Sequence, residues 1–227
     1  MFQDYFLIIA QGIPTSLMLT AAALMTAFIL AVFFTFLLAM GNQWLKMLIN
    51  SYLMLFTGTP LLIQFFLIYY GPGQFKWITE SVVWQFLSDA WFCAVLALAL
   101  NSAAYSTQLF YGALKAVPKG KWQACSALGL SRLDTLKIMI PYALRRALPS
   151  YSNEIILVFK GTSLASTITL LDIMGYARQL YGIEYDALAI YGIAGLIYLI
   201  ITGIMTFILR KVETRVLAFE TFSTAKS

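Results

Sequence analysis

The chain has 227 residues, 61% of them hydrophobic and only 11% charged, with a formal net charge of +5. Soluble domains carry about a quarter of their residues as charges, so this composition excludes a soluble globular protein and points to the lipid bilayer. No histidine occurs, and the two cysteines, Cys93 and Cys125, stand far apart and are expected on opposite sides of a membrane. That pattern argues against a metal site and against a disulfide.

Four stretches contain no Asp, Glu, Lys or Arg: residues 5–45, 47–75, 90–114 and 187–209. Each exceeds the roughly 20 helical residues that cross a hydrocarbon core of about 30 Å. A fifth stretch, about 147–171, is as long but carries Glu154 and Lys160. The expected class is an all-α polytopic membrane protein with about five transmembrane helices. It forms a single domain over residues 1–227, without linker or internal repeat.

In chain order, the amino terminus lacks the basic region of a cleavable signal peptide, since the first basic residue is Lys46. Span 1 falls within 13–40. Span 2, about 47–70, is interrupted by Thr57-Gly58-Thr59-Pro60. Two readings stay open there. One is a broken helix framing a transport site, with Gln64 one turn beyond Pro60; the other is a simple proline kink. Residues 71–89 form an outer segment with the turn Gly71-Pro72-Gly73 and the interfacial aromatics Trp77, Trp84 and Trp91. Span 3, 90–112, sets Asn101, Ala104, Tyr105 and Gln108 on one helical face. Its polar members either bond neighbouring helices or line a path for solute.

Residues 115–146 form a basic segment that holds Lys115, Lys119, Lys121, Arg132, Lys137, Arg145 and Arg146 against one acid, Asp134. Pro118 precedes a short helix and Gly129 is placed to end it, because glycine enters the left-handed conformation cheaply. Ser131 and Asp134 resemble the capping box of a second helix. Pro141 and Pro149 are expected to stop that helix. The segment reads either as an amphipathic surface helix whose lysines reach lipid headgroups or as a docking element for another protein. Span 4 follows, then an outer segment, 172–186, and span 5, which ends at Arg210-Lys211.

Charge fixes the orientation. With the amino terminus outside, the loop at Lys46, the basic segment and the tail (Arg210, Lys211, Arg215, Lys226) place twelve of the 15 basic residues in the cytosol. The reverse arrangement would break the positive-inside rule. The net charge is thus a topology signal and requires no nucleic-acid partner.

Ionised groups inside the bilayer cost about 2.5–3.5 kcal/mol on insertion scales, so Glu154 and Lys160 need a reason. Six residues apart, they lie about 120° around a helix from each other and cannot pair along one face. Glu154 suits either a cationic substrate side chain or a structural ion pair. Lys160 suits a carboxylate or helix-end carbonyls in the protein, or a substrate carboxylate.

Several motifs agree in order and spacing with one family. Gln123-Ala124-Cys125, then Gly129, then Ile138-Met139-Ile140-Pro141, resembles the EAA loop of ABC importer permeases. Val117 to Gln123 is similar to the family's VPxGQxEA opening, and Tyr142-Ala143-Leu144-Arg145 to its QALR exit. Asn153, Lys160, Thr162-Ser163-Leu164 and Ile168 follow the family's downstream pattern. Gly58 to Gln64 resembles the GTPLLVQ stretch of the polar amino-acid (histidine/arginine) permeases. Tyr151-Ser152-Asn153-Glu154 and Leu217-Ala218-Phe219-Glu220 carry a closer similarity to the second membrane subunits of arginine importers. Three positions depart from the family: Gln123 stands where an acid is common, Thr57 where Arg is common, and Gln108 where Glu is common.

The resemblance implies a type I importer fold with a cytosolic coupling helix between spans 3 and 4, in the bacterial inner membrane. It implies import of basic amino acids, arginine foremost, by alternating access. The implied partners are a homologous membrane subunit, two cytosolic ATP-binding subunits, a periplasmic amino-acid-binding protein and the lipid bilayer. The coupling surface would comprise Gln123, Ala124, Ala127, Leu128, Gly129 and Pro141. Candidates along the substrate path are Glu154, Gln108, Asn101, Thr59, Gln64 and Lys160. No phosphate-loop pattern G-x-x-x-x-G-K-S/T occurs, so ATP and magnesium would bind to partners, with no cofactor and no catalytic residue in this chain. The competing readings are a secondary amino-acid carrier, for which five spans without a repeat are few, or another polytopic membrane protein not coupled to an ATPase.

Overall fold

The computed structural model describes residues 2–224, with side chains described through Leu217. Ala218, Phe219 and Glu220, which share in the tail similarity, lie outside the described side chains. Helix α1 (Phe2–Ala10) leads through Gln11 and Gly12 into α2 (Ile13–Met40), the expected first span. Pro14 fits the start of α2, where a backbone N–H has no partner to lose. Helix α2 is apolar on every side, yet apart from Leu19 and Leu38 the residues it buries are small: Ser16, Thr20, Ala23, Ala27, Ala31 and Thr35 recur every three or four positions. This seam packs on α7 (Ala90–Lys115), which answers with Ala94, Ala97, Ala103 and Ser106. In lipid, small facing residues let helix backbones approach and gain dispersion contacts. Helix α7 is central, packing on α2, α3 (Gln43–Gly58), α4 (Leu61–Tyr70) and α9 (Arg132–Gly161).

Helix α3 (Gln43–Gly58) is capped by Asn42, whose side chain accepts from Leu45 N at 3.0 Å. It ends at the suspected interruption. Thr59 and Pro60 are extended, and α4 (Leu61–Tyr70) leaves at a bend of 105°. This is a broken helix and not a proline kink. A short 3₁₀ turn and two single-turn helices, α5 (Lys76–Thr79) and α6 (Trp84–Leu87), then lead to α7.

Helix α8 (Lys119–Ala127) and α9 (Arg132–Gly161) form the basic segment. Here the structure corrects the sequence reading: α9 does not stop at either proline but runs through both Pro141 and Pro149 and becomes the fourth span. Both proline residues are exposed, so their rings displace no neighbouring helix. The carbonyls four residues earlier belong to Lys137 and Arg145, also exposed, and lose their donors where other partners can serve them. The span also ends sooner than expected, at Gly161, and continues as a 3₁₀ stretch, Thr162–Ile168.

The segment expected on the outer side is helical: α10 (Ile173–Glu184) packs on α1 and on α11 (Ala187–Thr224). Its cap, Asp172, is fully buried, accepting from Gly175 N at 2.8 Å and from the Tyr198 hydroxyl of α11 at 3.1 Å. Ile173 N donates to Ser16 Oγ at 3.3 Å. Among the described residues, three helical stretches on their own are long and apolar enough to span a membrane (Phe2–Met40, Ala90–Lys115, Ala187–Leu217), and counting each of two bent pairs as one span brings the number to five.

The joint around Asp172 closes because Gly12 has no side chain. A Cβ there would collide with the backbone of Asp172 and Ile173. Gly12→Ala should therefore cost about 1–3 kcal/mol by overpacking, lowering the thermal unfolding midpoint in detergent. Gly192→Ala, with open space at its Cβ, should leave the midpoint unchanged. Equal midpoints for the two variants would show that the joint does not need this close approach.

Candidate functional site

The end of α3 leaves carbonyls without helical donors inside the molecule, and named side chains supply them. Thr59 Oγ1 donates to Leu55 O at 2.7 Å. Gln64 Nε2 donates to Phe56 O at 2.8 Å and to Thr59 O at 3.1 Å, and Asn101 Nδ2 also reaches Phe56 O at 3.1 Å. The Tyr105 hydroxyl donates to Thr57 O at 3.2 Å. Asn101 donates further to Gln64 Oε1 at 3.0 Å, so the two amides brace each other. Three of the path candidates, Thr59, Gln64 and Asn101, are thus joined in one network that holds the break open. Tyr105, on the span 3 stripe but not singled out for the path, is its fourth member.

Beside this network lies a cavity of about 320 Å³ lined by Leu61, Leu98, Asn101, Tyr105, Glu154 and Leu157, with Val158. Glu154 is 6% exposed. The Ser102 hydroxyl lies beside its carboxyl without reaching good hydrogen-bond geometry. Glu154 makes no ion pair among the described residues. A buried carboxylate without a counter-charge, opening on a cavity with an amide and a phenol ring, is a place for a cation. Lys160 sits on the same helix but is exposed, and it too makes no ion pair among the described residues. Gln108 is exposed and lines a different, larger cavity toward Lys46 and Lys115.

The second surface is the α8–α9 turn. Leu130 N donates to Cys125 O at 3.1 Å and Gly129 N to Ser126 O at 3.0 Å, with Gly129 at φ 69°. This paired pattern closes a helix through a left-handed residue, the conformation glycine permits. Ser131 then caps α9: its Oγ accepts from Asp134 N at 3.1 Å and donates to Asp134 Oδ2 at 2.6 Å. That hydroxyl, with Lys137 at 2.9 Å, holds the Asp134 carboxyl below its ordinary range. Trp122 and Cys125 face inward onto Leu114, Val117, Leu136 and Met139. Gln123, Ala124, Ala127 and Gly129 are exposed, and Leu128 is 77% exposed at the tip. Pro141 is exposed as well but stands some turns away along α9. The sequence reading missed Arg132, whose Nη2 donates to Ala39 O at 2.8 Å and ties the turn to the end of α2. Nothing local marks it, since its acceptor is a backbone carbonyl distant in sequence.

Residues 27–217 match the family described as binding-protein-dependent transport system inner membrane component. The chain is 72% identical over its full length and the relative's full length to the arginine ABC transporter permease protein ArtM of Haemophilus influenzae. It is 55% identical to the protein of that name from Escherichia coli K12, covering 96% of this chain and 98% of the relative. Among solved structures, an amino acid ABC transporter with histidines superposes with a TM-score of 0.82 at 28% identity, covering 93% and 95% of the two chains.

Gln64 is 5% exposed, so its loss cannot be made good by solvent. Gln64→Leu should cost about 1–3 kcal/mol by stranding acceptors. Gln64→Glu should cost more, because an ionised carboxylate would face the same carbonyls without a proton to donate. Thermal unfolding in detergent checks the order, and equal midpoints for both variants would show that the break is held by other means.

Proposed function

The chain belongs to the family of inner membrane components of binding-protein-dependent transport systems, and from that premise we propose that it is the second membrane subunit of an importer for basic amino acids, arginine foremost. The observation that carries the substrate class is Glu154: buried, without a counter-charge among the described residues, and lining a cavity with Asn101 and Tyr105. A guanidinium or ammonium group supplies the missing charge. The named arginine permeases among the relatives support the same choice. Lys160 is available to a carboxylate outside this chain, on the substrate or on the second membrane subunit.

The transporter would comprise this subunit, a homologous membrane subunit, two cytosolic subunits that bind ATP and magnesium, and a periplasmic binding protein. The amino terminus lies in the periplasm and the α8–α9 turn in the cytosol, where Leu128, Ala124, Ala127 and Gly129 enter a groove of an ATP-binding subunit. Closure of the ATP-binding pair pushes that turn. Because α9 continues unbroken to Gly161, the push reaches Glu154 on the same helix.

Two variants of the complete reconstituted transporter test the reading. Glu154→Gln should raise the KM for arginine uptake by roughly thirtyfold or more, the loss of one partner of a buried charge pair, while basal ATPase activity stays intact. Unchanged uptake would refute the carboxylate as the cation's site. Leu128→Glu, on an exposed side chain, should leave the membrane subunit folded and abolish the ATPase stimulation produced by arginine-loaded binding protein. Full stimulation would return residues 115–146 to a surface that rests on lipid.

A further inference from the structure

A second cavity, about 570 Å³, adjoins the first at the break: Thr57 lines the larger, Tyr105 the smaller, and the hydrogen bond between them stands at the boundary. Its walls include Thr57, Asn50, Gln108, Tyr111, Lys46 and Lys115, and no acidic residue. Lys46 comes from the first turn of α3 and Lys115 from the last turn of α7, so two cations from different helices converge on one opening. Lys115 Nζ lies 4.4 Å from the centroid of the Tyr111 ring, which fixes its charge at the wall. Asn101, Tyr105, Gln108 and Lys115 follow one another along a single face of α7, at steps of four, three and seven residues. One polar face therefore runs from the Glu154 cavity to this opening.

We infer that the larger cavity is the exit vestibule of the transport path, and that Lys46 and Lys115 make it electropositive so that a released cationic amino acid is driven out and its return opposed. The inference rests on the proposed reading of the chain as a basic amino-acid permease with this end in the cytosol. Lysines near cytosolic helix ends are ordinary. These two differ in lining a cavity in which no acid offsets them. A cleft lined by one sign of charge changes local ion concentrations by roughly tenfold or more. Glu154 attracts a cation at one end of the polar face, and the two ammonium groups repel it at the other. The asymmetry is specific to cationic cargo, since a neutral amino acid would feel little of it.

The test uses the complete transporter in inside-out vesicles carrying Gln108→Cys, with the unsubstituted transporter as blank, because Cys93 and Cys125 are both buried. Rates of modification by an anionic and a cationic methanethiosulfonate of similar size are compared with their rates on a free thiol in solution. The vestibule should favour the anionic reagent by about tenfold, and Lys46→Gln with Lys115→Gln should remove that preference. The same pair of substitutions should lower, by a similar factor, the concentration of cytosol-side arginine that half-inhibits uptake. A preference equal to that of the free thiol, or one unaltered by the double substitution, overturns the inference. So does failure of both reagents to react, which would mean that the cavity is covered in the assembly. Reaction only from the periplasmic side would overturn the orientation itself. Reagent preference does not depend on Glu154, so a failed substrate assignment there is read separately.

Discussion

Everything distinctive in this molecule depends on one rule: inside a bilayer, backbone polar groups must find partners within the protein. Most of the chain obeys by remaining helical. Thr59 and Pro60 do not, and the exposed end of α3 would be untenable without donors brought from elsewhere. Thr59 comes from the break itself, Gln64 from the first turn of α4, and Asn101 and Tyr105 from α7. The break is thus welded to the central helix by side chains with no freedom to be apolar. Polar groups needed to stabilise the irregular backbone also give the adjacent cavity its amide and its phenol ring. The same atoms satisfy the stranded backbone and line the cavity.

The second constraint is mechanical. Had α9 ended at Pro141 or Pro149, the α8–α9 turn and the fourth span would meet at a joint able to absorb motion. Instead, Arg132 and Glu154 lie on one helix, about 33 Å apart at 1.5 Å per residue. Arg132 also grips Ala39 at the end of α2, so a displacement of the turn is shared between two membrane helices. At the other end, Asp172, Ser16 and Tyr198 fasten α10, α2 and α11. Between these two fixtures, the 3₁₀ stretch Thr162–Ile168 and the break at Thr59-Pro60 are the places where the helical path changes direction.

The sequence made the long-range plan legible where a single physical property was sufficient to encode it. Uncharged runs gave the first, third and fifth spans because burial in lipid forbids charge, and Gly129 with Ser131 gave the α8–α9 turn because both signals are local. The small-residue seam of α2 escaped notice because it is written in side-chain size, while every face of that helix is equally apolar. The prolines of α9 misled because their cost depends on whether the ring and the stranded carbonyl face outward, which only tertiary placement decides. Thr59, Gln64 and Asn101 could be named one by one as polar and intramembrane. That they share a network needed the 105° bend, which no local pattern specifies.

Glu154 and Lys160 show why an intramembrane charge must be judged by its surroundings. They share a helix and are separated by six residues, yet one is enclosed and the other exposed, as their angular offset requires. A buried ion pair would have satisfied both within the fold, and would have left neither available to a passing ligand. The chain instead keeps them apart and leaves each without a counter-charge among the described residues. Such an arrangement is costly for the isolated subunit, and the cost falls only when something outside the chain supplies the opposite charge. Under the proposed reading, such a subunit is complete only in its assembly and with its cargo bound.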